Sequence, residues 1–235
     1  MGEGPPRIVL VTDPGYSDDA ILATVESAAA VLPRGALAVQ LRDKRRPIVE
    51  LRVFASRLRI ATRQVGAMLL INGDAQLARD IGADGVHLGG GAISIAAARA
   101  VCGPGAWISI AAHSDDAVRA AAKEGANAAL VSPIFPTDKP TGGASTSPTS
   151  PTQKSETRVR VKGASLERPR GVEALTSARG IVGHGLFLYA LGGVTPALTR
   201  RCMQAGADGV AVIRALLAAA RPEDEARAFV AAMDP

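Results

Sequence analysis

Arg42 and Lys44 stand two apart on an extended segment, so both side chains leave the same face, and Gln40 shares it. A guanidinium and an ammonium so placed can hold a polyanion such as pyrophosphate. As an isolated string, Arg42-Asp43-Lys44-Arg45-Arg46 reads only as a solvated charge run. The anion reading therefore needs further groups that converge on the same place. Candidates are the amide of Asn72, the Thr137-Asp138-Lys139 run, the Gly192-Gly193 pair and Ile213-Arg214. Glycine-rich turns and helix N-termini present backbone N–H groups to phosphate oxygens. Of the histidines, His113 beside Ser114 is the one that joins these polar positions. The blander reading of His113 is a structural residue next to a helix cap. His87 ends an apolar run and reads as a satisfied core histidine, and His184 is expected to have no catalytic role. The basic, amide-rich set implies small-molecule phosphate or pyrophosphate substrates.

These residues meet only if the elements between them bring them together. Short β-branched runs alternate with Ala-rich stretches along the whole chain. Strands are expected over 8–12, 36–41, 67–71, 85–88, 106–111, 127–132, 186–191 and 209–213. Helices are expected over 18–32, from Pro47 to about 65, then 74–81, 94–102, 114–124, 171–179, 196–205, 215–220 and 223–233. Ser17 and Ser114 suit N-caps, and Pro47 suits a first helical turn. Eight strands, each followed by a helix, within 235 residues predict one α/β domain over 8–233, a (β/α)8 TIM barrel rather than an open doubly wound sheet. In such a barrel the loops after the strands' C-terminal ends form one mouth, and every candidate named above except His184 falls at or beside it.

Gly82-Ala-Asp-Gly-Val, Gly125-Ala-Asn-Ala-Ala and Gly206-Ala-Asp-Gly-Val each stand between a helix and a strand, where the first Gly can take the left-handed position that ends a helix. The first two are 43 residues apart and the last two 81, so the second interval holds about 38 residues beyond two βα units. That excess lies after strand six. Residues 140–169 are expected to be a low-complexity, disordered insert, because Ser, Thr, Pro and Gly there leave too little apolar surface to offset the entropy of ordering.

Hydrophobic residues make up 47% of the chain and aromatics only 3%. Small, branched side chains suit a parallel sheet, and so few rings argue against a surface that stacks single-stranded nucleic acid. The net charge is +5, but residues 138–170, with seven basic and three acidic groups, supply +4 of it. The basic balance thus belongs to one segment, not to a nucleic-acid-binding face. Cys102 and Cys202 stand 100 residues apart without a C-x-x-C pair, which argues against a disulfide framework or zinc site. No apolar run approaches the length of a membrane span or a signal-peptide core. The expectation is a soluble, cytoplasmic protein without a membrane partner, and a homo-oligomer stays open.

The motifs together resemble the thiamine phosphate synthase and thiazole tautomerase family. Gln40-Leu-Arg-Asp-Lys44 is similar to the family's Q-L-R-x-K signature, Leu70-Ile-Asn72 to its third strand, and Gly82-Ala-Asp-Gly-Val-His-Leu-Gly89 to its G-A-D-G-V-H-L-G motif. Ser132-Pro-Ile-Phe-Pro-Thr137 resembles its G-P-I-F-P-T loop, and Leu191-Gly-Gly-Val-Thr195 and Gly206-Ala-Asp-Gly-Val-Ala-Val-Ile213 its last two strands. The resemblance implies that Gln40, Arg42, Lys44 and Asn72 contact an aminopyrimidine methyl pyrophosphate. It implies that Thr137 and Lys139 contact phosphate groups, and that Gly192, Gly193, Ile213 and Arg214 surround a thiazole phosphate. Pyrophosphate would leave the pyrimidine methylene and the thiazole nitrogen would attack it.

The chain also departs from that pattern. The resemblance implies Mg2+ held by two aspartates, yet their positions are Gly73 and Ala92, with Asp74 the nearest substitute. A family serine before His113 is Ala111, and one after strand eight is Arg214, which can either bind phosphate in place of a metal's charge or fill the site. Thiamine phosphate synthesis, a transferase reaction, ranks first because Gln40, Arg42, Lys44 and Asn72 are intact. A metal-independent thiazole phosphate tautomerase with His113 as acid and base ranks second. A catalytically inactive barrel that binds thiamine phosphate or a partner protein ranks third.

Overall fold

The computed structural model describes residues 4–137 and 168–234. Lys139 and nearly all of the expected insert, 140–169, lie outside the described residues. Eight strands are described: β1 (Ile8–Val11), β2 (Leu37–Leu41), β3 (Met68–Asn72), β4 (Gly85–Leu88), β5 (Trp107–Ala112), β6 (Ala128–Val131), β7 (Phe187–Leu191) and β8 (Gly209–Val212). Each is a run of four to six residues, mostly buried on both faces, as expected where a sheet is covered outside and filled inside. Neighbours pair in parallel in chain order, and β1 pairs with both β2 and β8, so the sheet closes into a barrel.

The described helices are α1 (Asp18–Ala29), α2 (Ile48–Val65), α3 (Ala75–Asp80), α4 (Ile95–Cys102), α5 (Asp115–Lys123), α6 (Glu173–Val182), α7 (Pro196–Gln204), α8 (Arg214–Leu217) and α9 (Pro222–Met233). Ser17 and Ser114 cap α1 and α5 by accepting from the N–H groups of Ala20 and Ala117. Helix starts fall within one residue of expectation except at α6, and the shifts at α6 and α8 bear on the site. α6 begins two residues later, because Gly171 takes a positive φ of 73° that no helix can hold. α8 begins one residue earlier, at Arg214 itself.

Strand alternation divides the core in two. One set of side chains packs outward under the helices; the other fills the barrel interior with Val9, Val11, Ala38, Ala128, Leu130, Tyr189 and Ala211. Trp107 and Phe187 stack at 5.7 Å, and the fully buried Tyr189 donates its hydroxyl to the Pro6 carbonyl at 2.7 Å. These rings close the N-terminal end of the barrel. Toward the C-terminal end the inward positions turn polar, with Gln40, Asn72, His87 and Ser109 on four adjacent strands.

The three repeated turns have one structural job. Asp84 and Asp208 each accept from the amide of the preceding strand, Leu69 and Leu188, at 2.7 Å, and Asn127 accepts from Ile108 at 2.8 Å. Each also takes an arginine from the outer layer: Arg59 from α2 on Asp84, Arg99 from α4 on Asn127, and Arg179 from α6 on Asp208. Gly82, Gly125 and Gly206 supply the positive φ that ends each helix and swings the carboxylate or amide under the strands. The motif therefore bolts the N-terminal face, where a barrel keeps stability and not chemistry.

Candidate active site

Gln40, near the end of β2, is 2% exposed, and its amide nitrogen donates to Asn72 Oδ1 at 3.0 Å. Its own Oε1 is buried and has no partner among the described residues. An orphaned acceptor at the base of a polar mouth is costly unless a ligand supplies the donor. Two residues on, Thr12 after β1 pins the backbone of Arg42, accepting from its N–H at 2.9 Å and donating to its carbonyl at 3.3 Å. Thr12 was not singled out from sequence, and no local signal marks it, because its partner lies 30 residues away.

The charge run 42–46 is not one solvated face. Asp43 accepts from the amides of Arg45 and Arg46. Burial opposes its ionisation, but those N–H groups and the Arg46 guanidinium outweigh it and hold the carboxyl below the usual range. Arg46 is bound by both oxygens of Asp18 at 2.8 and 3.0 Å and lies over the Phe54 ring. Asp43 and Arg46 thus belong to the wall, while half-buried Arg42 directly follows β2 and exposed Lys44 stands in the bend that Asp43 closes.

His87 on β4 is 5% exposed and sets its Nδ1 3.0 Å from Ser109 Oγ on β5, its partner in the strand register. Burial first, then the positive fields of Arg42 and His113, push its pKa down to about 4, so it is neutral at neutral pH. It is buried, as expected from sequence, but only its Nδ1 has a partner among the described residues, and its inward register places it in the polar layer beneath the mouth. Ser109 was missed. The one available signal was its odd-numbered parity with Trp107 and Ala111, which aims it inward.

His113, just past β5, is exposed, with Nδ1 3.3 Å from both the carbonyl oxygen and Oγ of Ser132. The loop after β6 is tied to the loop after β7: the amides of Ile134 and Phe135 donate to the carbonyls of Leu191 and Gly192. That contact needs glycine, since Gly192 and Gly193 have φ of 101° and 62° and a Cβ on Gly193 would stand 2.4 Å from the Pro136 carbonyl. Thr137 ends this loop, exposed. Ile213, half-buried, leads into the short α8, whose first residue is the exposed Arg214. Arg214 also borders an open groove of about 370 Å³ between α8 and α9, beside the mouth and not within it. Loops after strands seven and eight plus a short extra helix are the usual phosphate cradle of this architecture.

Gln40, Arg42, Lys44, Asn72, His113, Thr137, Gly192, Gly193, Ile213 and Arg214 thus all follow or end strands at one end of the barrel. His184 precedes β7 at the other end. Asp74, the nearest substitute for a metal-binding carboxylate, caps α3 by accepting from the Leu77 amide at 2.8 Å. Gly73 and Ala92 offer no donor, and among the described residues no three His, Cys, Asp or Glu side chains form a metal-binding group.

Residues 8–161 match the family described as thiamine monophosphate synthase. The chain belongs to the thiamine monophosphate synthase family. It is 33% identical over 215 residues to a putative thiamine-phosphate synthase of Geobacter sulfurreducens, covering 92% of this chain and 88% of that one. It is 35% identical over 227 residues to a thiamine-phosphate synthase of Natronomonas pharaonis, covering 97% and 94%. Among solved structures it resembles a thiamine phosphate pyrophosphorylase from Pyrococcus furiosus, with a TM-score of 0.75 at 23% identity over 97% of this chain and 95% of that one, a likeness of fold.

Proposed function

We infer that this chain is a thiamine-phosphate synthase, a transferase of thiamine biosynthesis that joins an aminopyrimidine methyl pyrophosphate to a thiazole phosphate and releases pyrophosphate. The observation that carries this reading is the Gln40–Asn72 pair, with the buried, unpartnered Gln40 Oε1, on the strand that leads two residues on to Arg42. A donor-bearing heterocycle with a pyrophosphate tail completes both halves of that arrangement. A tautomerase acting through His113 has less use for the pair and the cations that follow it.

In the reaction the methylene C–O bond breaks with its electron pair leaving on pyrophosphate, and the thiazole nitrogen lone pair forms the new C–N bond. The residues have two tasks. Arg42 and Lys44, joined by Lys139, neutralise the leaving group, and Gln40 and Asn72 hold the pyrimidine in line for attack. Thr137, Gly192, Gly193, Ile213 and Arg214 hold the thiazole phosphate. His113 lies within reach of Ser132 at the rim and orients the bound pair. Magnesium is what the family resemblance implies, but the donor set at positions 73, 74 and 92 does not fit it, so the leaving charge falls on side-chain cations. Small-molecule substrates suit the mouth. No described helix is long and apolar enough to cross a membrane, and a cytoplasmic setting goes with the reaction.

The test is turnover of the two precursors with magnesium and with a chelator. Thiamine phosphate and pyrophosphate in equal amounts are expected in both. Isomerisation of the thiazole carboxylate phosphate, abolished by His113→Ala, would move the chain to the tautomerases, and ligand binding without either reaction would make it a binding protein.

A further inference from the structure

The polar layer under the mouth contains a pair that the reaction above does not use. His87 and Ser109 face each other across β4 and β5, 5% and 1% exposed, joined through Nδ1 and Oγ at 3.0 Å. His87 Nε2 makes no hydrogen bond among the described residues, so it is the ring atom left for a ligand. Two strands from His87, past Asn72, Gln40 Oε1 is a buried acceptor without a partner among the described residues. We propose that Ser109 is a positioning residue: its hydroxyl donates to His87 Nδ1 and thereby fixes the proton on Nε2, which donates to a ring nitrogen of the pyrimidine while the neighbouring exocyclic amine donates to Gln40 Oε1.

The complementarity is what selects the tautomer. A 4-aminopyrimidine edge alternates an N–H donor with a bare ring nitrogen. A site that already offers a buried acceptor needs a donor beside it, and only the Nε2–H tautomer supplies one. A cationic imidazole would also donate, but Arg42 and His113 oppose a further positive charge there. The proposal rests on the synthase reading and assigns the residue that selects its heterocycle.

The test begins with the unmodified chain. Two-bond 15N–1H correlations of the labelled protein at about pH 7 distinguish the two neutral tautomers, well above the depressed His87 pKa. With three histidines in the chain, the His87 signals are assigned by their loss in His87→Gln. The Nε2–H pattern is expected, and the Nδ1–H pattern overturns the proposal. Ser109→Ala should then mix the tautomers and raise KM for the aminopyrimidine pyrophosphate about tenfold, with KM for the thiazole phosphate unchanged. Ser109→Thr, which keeps the hydroxyl, should restore both. Equal loss toward both substrates, or an unaltered tautomer in Ser109→Ala, would mean that the serine only fills space. Failure of the synthase reading looks different: the unmodified chain makes no thiamine phosphate while its His87 tautomer is as expected.

Discussion

At the scale of single residues, the site is a matter of which charges are tied down. Asp43 and Asp74 are committed to backbone amides close in sequence and Arg46 to Asp18 on α1, while Arg42 and Lys44 follow the C-terminal end of β2. Arg42→Ala should weaken binding of inorganic pyrophosphate about tenfold or more in calorimetry, and Lys44→Ala by less, because its exposed ammonium is better screened. Unchanged affinity in both would remove them from the anion site. His87 adds a pH signature. Its folded pKa, about 4, lies below the unfolded value of 6.5, so between the two the unfolded chain binds a proton that the folded one excludes. Stability should be flat above about pH 6.5 and fall by up to about 3 kcal/mol as pH drops toward 4. Urea melts at a series of pH values would read this, and His87→Gln should flatten part of the slope.

At the scale of elements, the helix-to-strand turns explain how a chain so poor in aromatics holds its cylinder in register. Asp84 ties α2 to β3 through Arg59 at 2.6 and 3.0 Å and through the Leu69 amide. Asp84→Ala leaves a largely buried guanidinium without its carboxylate and should cost about 2 kcal/mol, discounted for the partial exposure of the pair. Asp74→Ala removes only a cap and should cost about 1 kcal/mol. Chemical denaturation should rank the two in that order. The affinity of the folded Asp84→Ala chain for pyrophosphate should not change, because that turn lies at the far end of the barrel. The glycine turns were legible as turns from their repetition. That their third residue binds an arginine from a helix was not, because Arg59, Arg99 and Arg179 sit at no constant spacing from the turns they serve.

At the scale of the whole molecule, the chain leaves the barrel after β6 and returns beside the point of departure. The amides of Arg170 and Gly171 donate to the carbonyls of Pro133 and Ile134 at 2.8 and 3.0 Å, and the Arg170 guanidinium reaches Asp115 on α5. The barrel's own contacts therefore fix both ends of the intervening stretch. Deleting residues 142–165, whose composition offers almost no apolar surface, should leave a cooperative thermal transition within a few degrees of the full chain. Loss of that transition would show that the segment is part of the core.

Residue order alone settles the eight alternating units and the end of the barrel at which Gln40, Arg42, Asn72 and His113 emerge. Both are encoded in local runs: strands buried on two faces are continuous apolar stretches, and side-chain direction follows from counting by two. The pairing of His87 with Ser109, the pinning of Arg42 by Thr12 and the withdrawal of Asp43 and Arg46 into the wall are not encoded that way. Apart from the Asp43–Arg46 contact inside one loop, each joins groups on different elements, and a side chain's role there depends on which neighbour the closed sheet presents to it. Parallel pairing sets β4 beside β5 and closure sets β1 beside β8, and that adjacency decides which polar atoms find partners and which wait for a ligand.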